Sequence, residues 1–221
     1  GGVASREFYA GASVCSPSRA CLLTGRQPPR TGVGGLVLFP AGSFVDYAFR
    51  LMGYARGLLE DEITVATALG AHGWRTICVG KWHVGGVAPH LPTDHGFDIN
   101  KGGWDVGSPR GGFYSPWQNP NLESGPAGES LTLRLGKETA DFIEAHKDKP
   151  FLAYLSFYTV HGPIQTTPEL WKKYQKKATA SGLAKERFLF DRRLSVRQVQ
   201  DCPIYAGMIE TMDDAVGMVL E

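Results

Sequence analysis

Apolar positions recur along this chain with two spacings, and their alternation sets the expected fold. Residues 130–146 carry Leu131, Leu135, Phe142 and Ile143 at helical spacing behind Ser130, a good N-cap. The run Phe151-Leu152-Ala153-Tyr154-Leu155-Ser156-Phe157 follows almost at once. It is nearly all apolar, as a central strand covered on both faces would be. Residues 74–79 predict a shorter strand that Gly80 ends. Ahead of it, residues 64–72 predict a helix with Val65, Ala68 and Leu69 on one face, stopped by Gly73. Residues 168–177 predict a short basic helix. Residues 201–221 predict a longer one, with Ile204, Met208, Met212, Ala215 and Val219 on one stripe. Near the start, Leu22 and Leu23 suit a short helix whose first turn accommodates Pro17.

Two irregular stretches rich in glycine, proline and aromatic residues separate these elements, at 27–60 and 84–128. A loop as long as the second is more often functional than idle in a compact domain. Its Trp104, Phe113, Tyr114 and Trp117 are candidates to stack on sugar rings. The order of elements is that of an α/β layered sandwich, a mainly parallel central sheet flanked by helices. In such sheets the ligand crevice lies at the carboxyl ends of the strands. Lys81 and His83 come just past one strand and His161 just past another, so all three converge on one rim with Cys15.

Composition narrows the possibilities. The 221 residues are enough for one sizeable domain, with 43% hydrophobic residues and a formal net charge of +1. That balance gives no bias toward nucleic acid or a membrane surface. The four cysteines, Cys15, Cys21, Cys78 and Cys202, match neither a disulfide scaffold nor a zinc pattern. No apolar run reaches membrane-spanning length, and no signal peptide is present. Both ends look cut, so a targeting segment upstream is compatible with the sequence. The basic, aromatic run 171–177, with Arg187, Arg192, Arg193 and Arg197 after it, could face a sulfated glycan, but a solvated helix face is the stronger reading. Asp213 and Asp214 are adjacent in a helix and point about 100° apart, so they read as surface rather than as a metal site.

The chemistry concentrates in Cys15-Ser16-Pro17-Ser18-Arg19-Ala20-Cys21-Leu22-Leu23-Thr24-Gly25-Arg26. Cys15 is expected just ahead of a helix N-terminus, where unpaired N–H groups favour an anion. Arg19, one turn on, can lean back toward it. A nucleophile, a guanidinium and a helix start make a site for a tetrahedral oxyanion, although a buried ordinary cysteine fits as well. The segment resembles the signature of the type I sulfatases, Cys-x-Pro-Ser-Arg-x-x-x-Leu-Thr-Gly-Arg, and meets every fixed position. The resemblance implies that Cys15 is oxidised to formylglycine by a formylglycine-generating enzyme. The hydrated aldehyde is then the nucleophile, and Pro17 and Arg19 belong to the core that the modifying enzyme reads.

Two further segments extend the resemblance. Gly80-Lys81-Trp82-His83 is similar to the second sulfatase signature, which makes Lys81 a cation for a sulfate oxygen and His83 the group that takes the formylglycine proton. Without the family, a Lys and a His after a strand read as a solvated turn. His161-Gly162-Pro163 resembles the His-x-Pro element, whose histidine contacts the sulfate or its bridging oxygen. An imidazole can protonate a leaving alkoxide near neutral pH; the alternative is a loop histidine capping a carbonyl. His95-Gly96-Phe97-Asp98 is similar to the stretch that follows the second signature, and with His90 it reads as structural or pocket-lining. His72 and His146 read as structural.

The resemblance implies an alkaline phosphatase/sulfatase-like fold, incomplete at both ends, with residues 1–221 part of a single sulfatase catalytic domain. It also implies a divalent cation, usually calcium. In the family an aspartate pair upstream and an Asp-Asn pair downstream hold it. Asp46, Asp61 and Asp94 do not sit in those contexts, which leaves Cys15, as formylglycine, the only metal ligand carried over. The implied reaction is hydrolysis of a sulfate monoester on a sulfated carbohydrate or an aryl sulfate, in a periplasmic, secreted or lysosomal setting. The rivals are a phosphonate monoester or phosphodiester hydrolase of the same superfamily and a non-catalytic glycan-binding relative.

Overall fold

A computed structural model of the chain describes residues 5–34, 57–182 and 187–221. Asp46 and most of the 27–60 stretch lie outside them. Three strands form a parallel sheet in the order β2-β1-β3: β1 (Arg75–Gly80), β2 (Ile99–Lys101) and β3 (Phe151–Ser156). Ile77 pairs with Ile99 on one side and with Ala153 on the other. Among the described residues the middle strand is β1, buried from Thr76 to Gly80, whereas β3 is half-buried along its length. Strand β2 falls within the stretch expected to be loop; three residues are too short for a period-2 signal.

Side-chain alternation along β1 builds two cores. Ile77 and Val79 enter one, with Leu131, Leu135 and Phe142 of helix α3 (Leu131–His146) and Met208 of α5 (Pro203–Leu220). Cys78 enters the other, with Ala20 and Leu23 of α1 (Cys15–Thr24) and Ala66 of α2 (Val65–Gly70). Helices thus cover both faces of the sheet. Ser130 caps α3 by accepting from the Leu133 N–H, and Thr64 caps α2 by accepting from the Thr67 N–H. Helix α2 turns Ala66 to the core rather than Val65 and Ala68, which are exposed. Phe113 and Trp117 are also core residues, 3% and 5% exposed, which removes them as sugar platforms. Of the predicted stripe of α5, Met208 and Ala215 are buried and Ile204, Met212 and Val219 half-buried, with Asp213 and Asp214 exposed beside it.

Helix α4 (Pro168–Ala180) buries no residue of its own and packs on α5. Between them an antiparallel hairpin, β4 (Phe188–Asp191) with β5 (Leu194–Arg197), stands exposed on both faces. Arg187 and Arg197 close its base on the buried carboxylate of Asp201. The basic pattern at 187–197 gave no sign of this hairpin. No described helix is long and apolar enough to cross a membrane.

Candidate active site

The site assembles where β1 and β3 end and α1 begins. Cys15 is the first residue of α1, with Val14 at the N-cap, so it stands inside the helix start rather than ahead of it. It is a half-buried free thiol. Pro17 in the first turn removes one of the helix's orphan donors.

Gly80 ends β1 with φ of 88°, and a Cβ there would stand 2.2 Å from the Ser156 carbonyl oxygen. Only glycine permits this approach. It lets the Lys81 N–H donate to that carbonyl at 2.7 Å, tying the two strand ends together. Trp82 then turns fully into the core, and its indole Nε1 donates to the His90 carbonyl at 2.9 Å. Lys81 and His83 flank it in sequence. His83 adopts φ of 59°, a left-handed conformation uncommon outside glycine and concentrated at functional sites.

Arg19 Nη1 donates to the Lys81 carbonyl at 2.7 Å, to Ser156 Oγ at 2.6 Å and to Tyr154 Oη at 3.3 Å. The guanidinium therefore locks α1 to both strand ends. Ser156 and Tyr154 were not singled out from sequence. The available signal was Ser156 itself, a polar residue at the carboxyl end of an otherwise apolar strand.

Lys81 is 4% exposed. Burial and the Arg19 charge hold its pKa below the ordinary lysine range, and the adjacent Cys15 thiol pulls the other way. His83 is 1% exposed, and among the described residues neither ring nitrogen has a hydrogen-bond partner. Burial, then the charges of Lys81, Arg19 and His161, lower its pKa to about 3, so its imidazole is neutral at working pH. His161 is exposed, with Nδ1 3.0 Å from the Gly162 carbonyl. A carbonyl only accepts, so Nδ1 carries a proton and Nε2 is left to act. Arg19 thus touches the Lys81 carbonyl, Cys15 lies beside Lys81, and the charges of Lys81, Arg19 and His161 reach His83. His95 is buried beside Trp82, and His90 hydrogen-bonds the Leu58 carbonyl, both as wall rather than as reacting groups. Among the described residues no three His, Cys, Asp or Glu side chains cluster closely enough to hold a metal ion. These residues alone do not fit a divalent cation.

Comparison with known proteins agrees with this architecture. Mouse (Mus musculus) arylsulfatase G is 31% identical over 198 residues, covering 74% of this chain and 35% of that protein. N-acetylgalactosamine-6-sulfatase of Sus scrofa is 33% identical over 180 residues, 71% of this chain and 32% of that one. The crystal structure of Ps i-CgsB superposes with a TM-score of 0.67 at 24% identity, over 96% of this chain and 45% of that chain. This chain thus spans about a third of the curated relatives' length and under half of the solved one. The family model for sulfatases matches residues 1–221, and the chain belongs to the sulfatase family.

Proposed function

We propose that this chain carries the nucleophile, the proton-transfer groups and part of the charge clamp of a sulfate monoester hydrolase. Membership of the family implies in general a formylglycine and a divalent metal. The observation that supports the reading is the buried pair Lys81 and His83, one desolvated and the other unpartnered, beside the half-buried Cys15. Two such groups cost folding energy and do nothing for the core, which fits a working site when they stand together beside a nucleophile.

A hydrated formylglycine at position 15 supplies one hydroxyl to attack sulfur and a second whose deprotonation expels sulfate. Lys81 offers a dry, compact cation to the sulfate oxygens, where charge interactions are strong. Arg19 holds the start of α1 at a fixed distance from Lys81 and adds a second positive charge. His161, carrying a proton on Nε2 as well as on the Nδ1 that faces the Gly162 carbonyl, gives the Nε2 proton to the leaving alkoxide. His83, a neutral imidazole with free nitrogens, accepts the proton that must leave residue 15. The anionic sulfate beside it raises its proton affinity at that step.

The metal would be calcium in this reading; formylglycine 15 would be one of its ligands, and oxygen ligands from outside the described residues would have to complete the shell. The substrate is a sulfated carbohydrate or an aryl sulfate, in a periplasmic, secreted or lysosomal compartment. A formylglycine-generating enzyme is the partner that prepares Cys15. The test is turnover by the whole protein, made with that enzyme, on an aryl sulfate, a 6-sulfated hexosamine and an aryl phosphonate. Sulfate release that Cys15→Ala abolishes is expected. Faster phosphonate cleavage would favour the superfamily rival, and glycan binding without turnover would favour the non-catalytic one.

A further inference from the structure

Gly107 lies against the imidazole of His83. A Cβ built on Gly107 would stand 2.5 Å from Cε1, 2.8 Å from Nδ1 and 3.2 Å from Nε2 of that ring. The first two distances are shorter than any real packing contact, so the ring or the loop would have to move. Gly107 is not among the glycines with positive φ, so its backbone would accept alanine. What demands glycine is the ring.

The surrounding loop is built to hold this contact. The His83 N–H donates to the Trp104 carbonyl at 2.9 Å. A Cβ on Gly86 would stand 2.1 Å from Cβ of Asp105. Segments 83–86 and 104–107 therefore interlock through two positions that lack side chains. The imidazole, meanwhile, has no hydrogen bond among the described residues to fix its plane. Steric contact is what remains to orient it.

We propose that Gly107 is a positioning residue, a steric stop that sets the plane of the His83 ring without taking a hydrogen bond from either nitrogen. This rests on the reading of the site as a sulfate ester hydrolase and assigns it a residue outside its signatures. A hydrogen-bonded orienting partner would occupy one ring nitrogen. A glycine contact orients the ring and occupies neither.

A four-member cycle in the whole, formylglycine-bearing protein tests it: parent, Gly107→Ala, His83→Ala and the double variant. Gly107→Ala is expected to lower kcat by about 10²-fold, the scale of a misplacement of about 1 Å, with little change in KM. In the His83→Ala background the same substitution is expected to change kcat less than about twofold, because contacting residues are non-additive. Melting temperature should follow the same cycle, since the added methyl then occupies space that the ring vacated. Additive losses in kcat, or a melting-temperature loss that His83→Ala does not recover, would overturn the proposal. If Gly107→Ala does not fold, folding of the double variant supports the proposal, and failure of the double variant overturns it. If the parent hydrolyses no sulfate ester, the functional reading fails, and the melting-temperature cycle still decides the steric contact.

Discussion

Arg19 Nη1 donates to the Ser156 hydroxyl at 2.6 Å across 137 positions of sequence. The same Ser156 accepts the Lys81 N–H on its carbonyl. One residue thus sets the distance between the helix that carries Cys15 and the loop that carries Lys81. Ser156→Ala is expected to lower kcat by roughly tenfold, the loss of one hydrogen bond to a charged group, with KM changed little. Ser156→Thr, which keeps a hydroxyl, should recover most of it. Steady-state kinetics on the three proteins would check this, and equal kcat values would show that Arg19 needs no such support.

Lys81 is a charge held in a nearly dry place for chemistry rather than for stability. Lys81→Met keeps the length of the side chain and removes the charge. Turnover is expected to fall by about 10²-fold or more, as for a lost electrostatic contact to a developing charge. Melting temperature should hold or rise, because a buried, like-charged neighbour of Arg19 has been removed. A large drop in melting temperature with ordinary turnover would make Lys81 structural.

The low pKa of His83, about 3 against an ordinary 6.5, gives a pH signature. Between those values the unfolded chain binds the proton and the folded one does not. Stability from this group is therefore complete above pH 6.5 and is lost as pH falls toward 3, at up to about 1.4 kcal/mol per pH unit. His83→Gln should flatten the fall in melting temperature between pH 7 and 4, measured against the parent protein. Parallel curves would mean that His83 gains a proton freely in the folded state.

The signature segments and the element rhythm were legible in the chain because they are local. Cys15, Arg19, Lys81, His83 and His161 each follow from a short motif or from a position just past a strand. The rest depends on who packs against whom. Sequence alone could not show that among the described strands β1 is paired on both sides while β3 is half-buried, because both are apolar runs and their burial differs only through their neighbours. It could not show that Phe113 and Trp117 turn inward, nor that Gly107 touches His83, since a glycine in a Gly-rich loop carries no mark of its contact. The hairpin at 188–197 carries no period-2 signal, because Phe188, Leu189 and Phe190 are consecutive, and the structure leaves all three exposed.

Cys15 itself provides a chemical readout. In cells that contain an active formylglycine-generating enzyme, peptide mass spectrometry should find the Cys15 peptide lighter by about 18 Da, the exchange of a thiol for an aldehyde oxygen. Cys21, Cys78 and Cys202 should remain thiols. An unmodified Cys15 under those conditions would remove the proposed nucleophile.

The bonds that Arg19 makes to Lys81 and Ser156 span 62 and 137 positions of the chain. Contacts so distant must overcome the entropy of closing long loops before they return any energy, and parallel pairing such as β1 with β3 adds to the delay. Local units such as α3 and the β4–β5 hairpin can form early; the guanidinium clamp cannot. Its formation is therefore expected late on the folding path, so that a partly folded chain, however helical, would hold its reactive groups apart. Competence at this site reports that the whole sheet has closed.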